Sequence, residues 1–278
     1  MKEINYDQLE RWVREAGKMM LDAHLNRDTV HEKAGGANFV TDYDVAIQQF
    51  LIARFRTLLP EAGYYGEEDT EGVDRSSAAE YVFYIDPIDG TTNFMLGYPQ
   101  SCVSVGLAYR GRMAAGFIYN PYTDQMYRGI RGRGSTLNGR PLRVDDSKGV
   151  ADGLIGFDCI RYNEGTGETI DILFQAVKEL YRTALATREG GSAALGLVQV
   201  ASGAHVAYIQ MVLKPYDYAA ASVIVEEAGG IITRMDGSPL PLDGTSSALC
   251  GTRRAWAEAK EIVAQAERDI RGDRGSNE

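Results

Sequence analysis

Histidine and cysteine are scarce in this chain: 278 residues hold only three of each. His24, His31 and His205 are scattered, with no HExxH or paired-ligand spacing, which argues against a zinc site. Cys102, Cys159 and Cys250 are odd in number, far apart and without a CxxC pair. They offer no disulfide framework and read as small buried hydrophobes. No apolar run reaches the roughly 18 residues of a membrane-spanning helix. The N-terminal stretch from Lys2 to Asp7 is charged and polar, without the basic, apolar, small-residue order of a signal peptide. A cytoplasmic protein with no membrane partner is expected. Basic charge is also short, with 29 Lys and Arg against 39 Asp and Glu, a net −10. That balance argues against direct nucleic-acid binding, which needs cations along a phosphate backbone. Excess acid can simply keep a protein soluble. For an anionic substrate the local sign would have to be reversed, and bound divalent cations do that.

A hydrophobic content of 44% is ample for one large domain or two packed halves. Leu9, Trp12, Val13, Ala16, Met19, Met20 and Ala23 recur at three- and four-residue intervals and predict an amphipathic helix. Asn38 to Thr41 reads as extended. A second helix is predicted from Asp42, as its N-cap, to about Leu59, ended by Pro60. Gly63 to Asp74 reads as an acidic loop and Tyr81 to Ile85 as a buried strand. Three strand-like runs follow between Cys102 and Ile130, broken by turn residues. In the second half, strands at Leu154–Phe157, Leu185–Thr187 and His205–Val212 interleave with helices at Glu168–Tyr181, Ser192–Ala201 and Tyr216–Ala228. A last amphipathic helix carries Ala255, Trp256, Ala259, Ile262, Val263, Ala266 and Ile270. The class is therefore α/β or α+β with layered sheets. The boundaries expected are one domain over 1–271, with halves 1–145 and 146–271, and a disordered tail over 272–278.

The most informative run is Asp86-Pro87-Ile88-Asp89-Gly90-Thr91-Thr92-Asn93-Phe94, directly after the apolar strand. Two carboxylates with a proline between them at a strand end can be aimed at one point. Mg²⁺ requires such oxygen ligands, and the Ile88 carbonyl could add one. Gly90 and Thr91 then offer backbone N–H groups of the kind that bind phosphate oxygens. Three other acidic places stand out: Glu67-Glu68-Asp69 in the loop, Asp44 after Thr41-Asp42-Tyr43, and Asp217 before Gly229-Gly230. Taken singly, these have ordinary explanations as solvated loop acids or helix N-terminal acids favoured by the dipole.

Taken together, the Asp86–Phe94 run, Gly66-Glu67-Glu68, and the Lys214–Gly230 stretch resemble the inositol monophosphatase family. That family lies within the lithium-sensitive, metal-dependent phosphatases. The order and spacing fit from about Leu9 to Trp256. The resemblance implies a layered α-β-α-β-α sandwich, usually homodimeric, that hydrolyses a small phosphate ester with about two or three Mg²⁺ per site. It implies that Glu67, Asp86, Asp89, Asp217 and the Ile88 carbonyl ligate metal. Thr91 would orient the attacking water and Asp44 would pair with Thr91 to help take its proton. Gly90, Thr91 and Asp89 would face the phosphate, with Lys33 nearby, and Gly191, Ser192 and Ala193 would contact the substrate's ring hydroxyls.

Three departures from the family pattern stand out. Tyr216 replaces the usual tryptophan, Ala221-Ser222 replaces the usual glycine, and Gln210 stands where inositol-specific members often carry a glutamate. The amide keeps the shape but loses the charge, and it can also donate. Phosphoryl transfer is expected to survive, with inositol 1-phosphate, histidinol phosphate and fructose 1,6-bisphosphate as candidate substrates. The alternative is a regulatory partner of transcription or ribosome assembly, as some bacterial relatives are. The full set Glu67, Asp86, Asp89, Thr91 and Asp217 favours an enzyme.

Overall fold

A computed structural model of the chain describes residues 3–25, 28–32, 39–76, 78–159 and 167–275. Its first apolar stripe folds as α1 (Tyr6–Leu21), which buries Leu9, Trp12, Val13, Ala16 and Met20 on one side. Strands β1 (Val30–Glu32) and β2 (Phe39–Thr41) form an antiparallel pair that leads into α2 (Asp42–Leu58). Of the stretch expected to be extended, Asn38 lies outside the described residues. The N-cap of α2 is Thr41, not Asp42. The Thr41 hydroxyl accepts the Asp44 N–H while the Asp44 carboxylate accepts the Thr41 N–H, a reciprocal box that Asp42 cannot make.

Seven strands form the first sheet in chain order: β3 (Gly63–Gly66), β4 (Tyr81–Asp89), β5 (Cys102–Tyr109), β6 (Arg112–Asn120), β7 (Gln125–Ile130), β8 (Gly134–Leu137) and β9 (Arg140–Pro141). A short helix, α3 (Thr91–Met95), leaves the end of β4. In this sheet β3 and β4 run parallel, and the other neighbours are antiparallel. The acidic loop expected from Gly63 therefore begins as a strand. Its two tyrosines are buried, while the glycines at either end hide the pattern. β4 runs four residues beyond Ile85, fully buried, and carries both aspartates of the Asp86–Phe94 run.

The second sheet has the order β11-β10-β12-β14-β13, built from β10 (Leu154–Phe157), β11 (Ala186–Glu189), β12 (His205–Leu213), β13 (Ile231–Thr233) and β14 (Ser246–Gly251). Helices α4 (Gly167–Thr183) and α7 (Arg253–Gly275) pack on its outer face. α7 continues past Gly272, where the sequence predicts the tail to begin; positions 276–278 of that tail lie outside the described residues. Between the sheets lie α5 (Ala193–Ala201) and α6 (Pro215–Glu227), while α1 and α2 cover the far face of the first sheet. The layers are thus α-β-α-β-α, with separate apolar clusters filling the spaces between them.

The fit of α6 against the first sheet depends on glycine. Gly106 on β5 pairs with Gly116 on β6, which pairs with Gly129 on β7. A Cβ at Gly116 would lie 2.2 Å from the Ala220 carbonyl oxygen, and one at Gly129 2.7 Å from Ile224 Cα. This row lets the helix backbone approach the strands closely, with Ala219, Ala220, Val223 and Ile224 of α6 lying along the contact. The first turn of α6, with Asp217, is thereby held near the end of β4.

Candidate active site

Carboxylates from two parts of the chain converge at the end of β4. Asp86 and Asp89 come from the strand and Asp217 from the first turn of α6, and their oxygens lie within 4.8 Å of one another. The β4–β5 pairing shifts register between Asp86 and Asp89, which lets both side chains point to one side. The Ile88 N–H donates to Asp86 Oδ1 at 3.1 Å and so fixes that carboxylate within the turn. Asp217 spends one oxygen on the Lys214 N–H at 2.6 Å. Glu67, half-buried after β3, lies against Asp86 and adds to the negative field there.

This concentration of charge shows in the acidities. Burial, then Glu67, Asp89 and Asp217, hold the Asp86 carboxyl well above the usual range. Asp89 is pushed up to about 7 by burial, against the hydrogen bonds from the Ser192 hydroxyl and Ala194 N–H. Asp44 is pushed up to about 7 by burial and then by Glu67. Buried carboxylates this close together call for a cation, and an all-oxygen set suits a hard one such as Mg²⁺. The residues therefore fit the metal that the sequence implies.

Thr91 opens α3 behind Gly90, whose φ of +88° is left-handed and where a Cβ would lie 2.9 Å from the carbonyl oxygens of Gln100 and Gly191. The Thr91 hydroxyl is placed to donate to Asp44 Oδ1 at 3.2 Å or to the Ile88 carbonyl at 3.0 Å. The other oxygen of Asp44 accepts from the Thr41 N–H at 2.7 Å and the Thr41 hydroxyl. The helix cap thus aims Asp44 at Thr91, forty-seven positions away.

The second half meets this cluster through the 190–194 turn. The Ser192 hydroxyl donates to Asp89 Oδ2, which also accepts the Ala194 N–H at 2.9 Å. Gly191 is exposed and Ala193 buried beside it. The Asn93 amide donates to the Gly190 carbonyl at 2.8 Å and the Gln100 carbonyl at 2.7 Å, tying α3 to the turn. Gln210, buried on β12, lies in hydrogen-bond contact with the Tyr208 hydroxyl. Lys33 lies outside the described residues.

Several supporting residues carry no signal in the sequence. Gln48 on α2 donates to the Glu68 carbonyl and accepts the Glu68 N–H, fixing the acidic loop from below. Arg75 donates to the carbonyls of Gly66 and Glu67 from the other side. Asp158, just after β10, accepts the N–H groups of Gly190 and Gly191. Cys102, read as a buried hydrophobe, is buried and also turns its thiol toward Asp89, 3.7 Å away.

The family model described as "Inositol monophosphatase family" matches residues 3–271. A protein named Nus factor SuhB from Pseudomonas aeruginosa is 32% identical over 230 residues, covering 82% of this chain and 84% of its own. Inositol monophosphatase 1 from Bos taurus is 32% identical over 252 residues, covering 89% and 90%. Among solved structures, an IMPase from Thermotoga maritima superimposes with a TM-score of 0.84, covering 95% of this chain and 98% of its own at 24% identity; at that identity the likeness speaks for the fold alone.

Proposed function

The chain belongs to the inositol monophosphatase family, and from that premise we propose that it hydrolyses the phosphate monoester of a small polyol or sugar, inositol 1-phosphate first among them, with Mg²⁺. The observation that carries the reading is the convergence of Asp86, Asp89 and Asp217, beside the Thr91–Asp44 pair, at one strand end. Asp86, Asp89, Asp217, Glu67 and the Ile88 carbonyl would hold roughly two or three cations, which when bound acidify water and neutralise charge on the leaving oxygen. The chain's own groups do the rest. Thr91 orients the attacking water through its hydroxyl. Asp44, in hydrogen-bond reach of the Thr91 hydroxyl, accepts a proton through Thr91. The N–H groups of Gly90 and Thr91 hold phosphate oxygens. The Gly191–Ala193 turn and Gln210 face the leaving alcohol, and the Ser192 hydroxyl also steadies Asp89.

We place the protein in the cytoplasm as a homodimer inhibited by lithium. Phe174 and Tyr181, one above the other on α4, and nearby Leu185 are 51%, 68% and 72% exposed, an apolar stripe suited to a second copy. No described helix is long and apolar enough to cross a membrane. The relative named Nus factor SuhB supports a second reading, a regulatory partner in transcription, which is compatible with an intact active site.

Phosphate release separates these readings. The panel is inositol 1-phosphate, histidinol phosphate, fructose 1,6-bisphosphate and 3′-phosphoadenosine 5′-phosphate, each with and without Mg²⁺. The proposal expects metal-dependent release, fastest from inositol 1-phosphate. Fastest release from another ester would reassign the substrate, and none from any would favour the regulatory reading.

A further inference from the structure

Behind the 190–194 turn lies a buried polar chain that the phosphatase chemistry does not itself use. Asp158 is 5% exposed. Its Oδ1 accepts the Gly190 N–H at 2.9 Å and the Gly191 N–H at 2.6 Å, and its Oδ2 accepts the Tyr208 hydroxyl at 2.7 Å. All three partners can donate, the pattern an ionised carboxylate needs. Tyr208 is itself buried, and its ring is clamped. A Cβ at Gly196 on α5 would lie 2.2 Å from the ring, and one at Gly156 on β10 2.8 Å from it. The same hydroxyl meets the Gln210 side chain, two residues along β12, and feels the charges of Asp89 and Asp217.

A phenol has one proton, and here two side chains face it. Asp158 takes that proton. The Gln210 Oε1 lies against the phenol oxygen, and exchanging the amide's O and N turns an N–H there instead, so that all three groups are satisfied. A carboxylate at 210 could not. It would face Asp158 across one hydroxyl with no second proton, a buried like-charge contact. We propose that Asp158 is a specificity-determining positioning residue: it fixes the substrate turn through Gly190 and Gly191, and through Tyr208 it requires a neutral amide at position 210. The negative charge on the leaving-group side thus sits behind the turn, and with its N–H on the phenol Gln210 would present its carbonyl oxygen to the leaving alcohol. This rests on the reading of the site as a phosphatase that binds its leaving group here.

The test is a double-mutant cycle on the Mg²⁺-loaded protein with Gln210→Glu, Asp158→Asn and the two combined, assayed on inositol 1-phosphate and on glycerol 2-phosphate. In the parent background, Gln210→Glu is expected to raise KM for inositol 1-phosphate about tenfold, a coupling of ordinary size for contacting residues. The kcat is expected to move less than KM, because the metal carboxylates are unchanged. Adding Asp158→Asn is expected to bring KM back to within about threefold of the parent. The same rescue is expected in thermal midpoints, which need no turnover. If Gln210→Glu changes KM and midpoint equally in the parent and in the Asp158→Asn background, the coupling is absent and the proposal falls. Failure of the parent to hydrolyse these esters and every ester of the panel above would instead remove the phosphatase reading, and the midpoints would still decide whether Asp158 and position 210 are coupled.

Discussion

Thr91 has one hydroxyl proton for two acceptors, Asp44 and the Ile88 carbonyl, and in the proposed mechanism the choice between them would let it guide a water. Thr91→Val keeps the shape and removes the proton; kcat is expected to fall by about 10² to 10⁴, with Thr91→Ser remaining within about tenfold. Steady-state kinetics on the two variants decides, and a Thr91→Val enzyme as fast as Thr91→Ser would deny the hydroxyl a role. At this scale the sequence was legible where chemistry is local. Asp86 and Asp89 stand three apart at a strand end, and their convergence needs only a turn. The inward direction of the Ser192 hydroxyl was not legible, because its partner Asp89 lies 103 positions away. Nor was Asp158, whose neighbours in sequence say nothing of the Gly190–Gly191 N–H groups it serves.

Among the elements, α6 matters most, since the glycine row on β5, β6 and β7 sets how near Asp217 comes to β4. Gly116→Val is expected to push α6 off the sheet and to destabilise the fold by about 1–3 kcal/mol, the usual cost of overpacking. Urea unfolding measures the first effect. Calorimetric titration should show weaker Mg²⁺ binding as Asp217 is displaced. An unchanged unfolding midpoint would mean that α6 does not depend on this approach. Helices with a clear apolar stripe, such as α1, were readable from periodicity, and so were long strands such as β12. The short β3 and β13, and β14 with its small residues, were not. β14 is a strand because it lies between β12 and β13, a tertiary circumstance that propensity does not carry. The glycine row was equally hidden, because register between strands has to be known before the three glycines line up.

For the whole molecule, the charge of −10 and the buried carboxylates make stability depend on pH and metal together. Asp44 and Asp89 sit at about 7 in the folded protein against 3.8 for the free group. The metal-free folded state therefore holds protons that the unfolded chain releases, and their stabilising effect is complete below 3.8 and lost as pH rises through about 7. Metal-free protein is expected to melt lower at pH 8 than at pH 5.5, and added Mg²⁺ to raise the midpoint more at pH 8, where fewer protons must be displaced. Equal Mg²⁺ shifts at the two pH values would argue against a carboxylate cluster as the binding site. The layered architecture was legible from interleaved strands and helices joined to a family resemblance. The order of strands in the second sheet was not, since it reverses direction at β14 in a way no local pattern announces.

In the proposed reaction a cation held by the Asp86–Asp89–Asp217 cluster drives ester hydrolysis. Its most direct test is phosphate release from inositol 1-phosphate by the parent protein and by Asp89→Asn, each titrated with Mg²⁺ from a chelated start, with folding followed by circular dichroism. Parent activity is expected to appear with Mg²⁺, and Asp89→Asn to stay folded yet lose at least about a thousandfold in rate, the several kcal/mol of a lost metal contact. A folded Asp89→Asn protein with near-parental turnover, or parental turnover that persists under chelation, would contradict it.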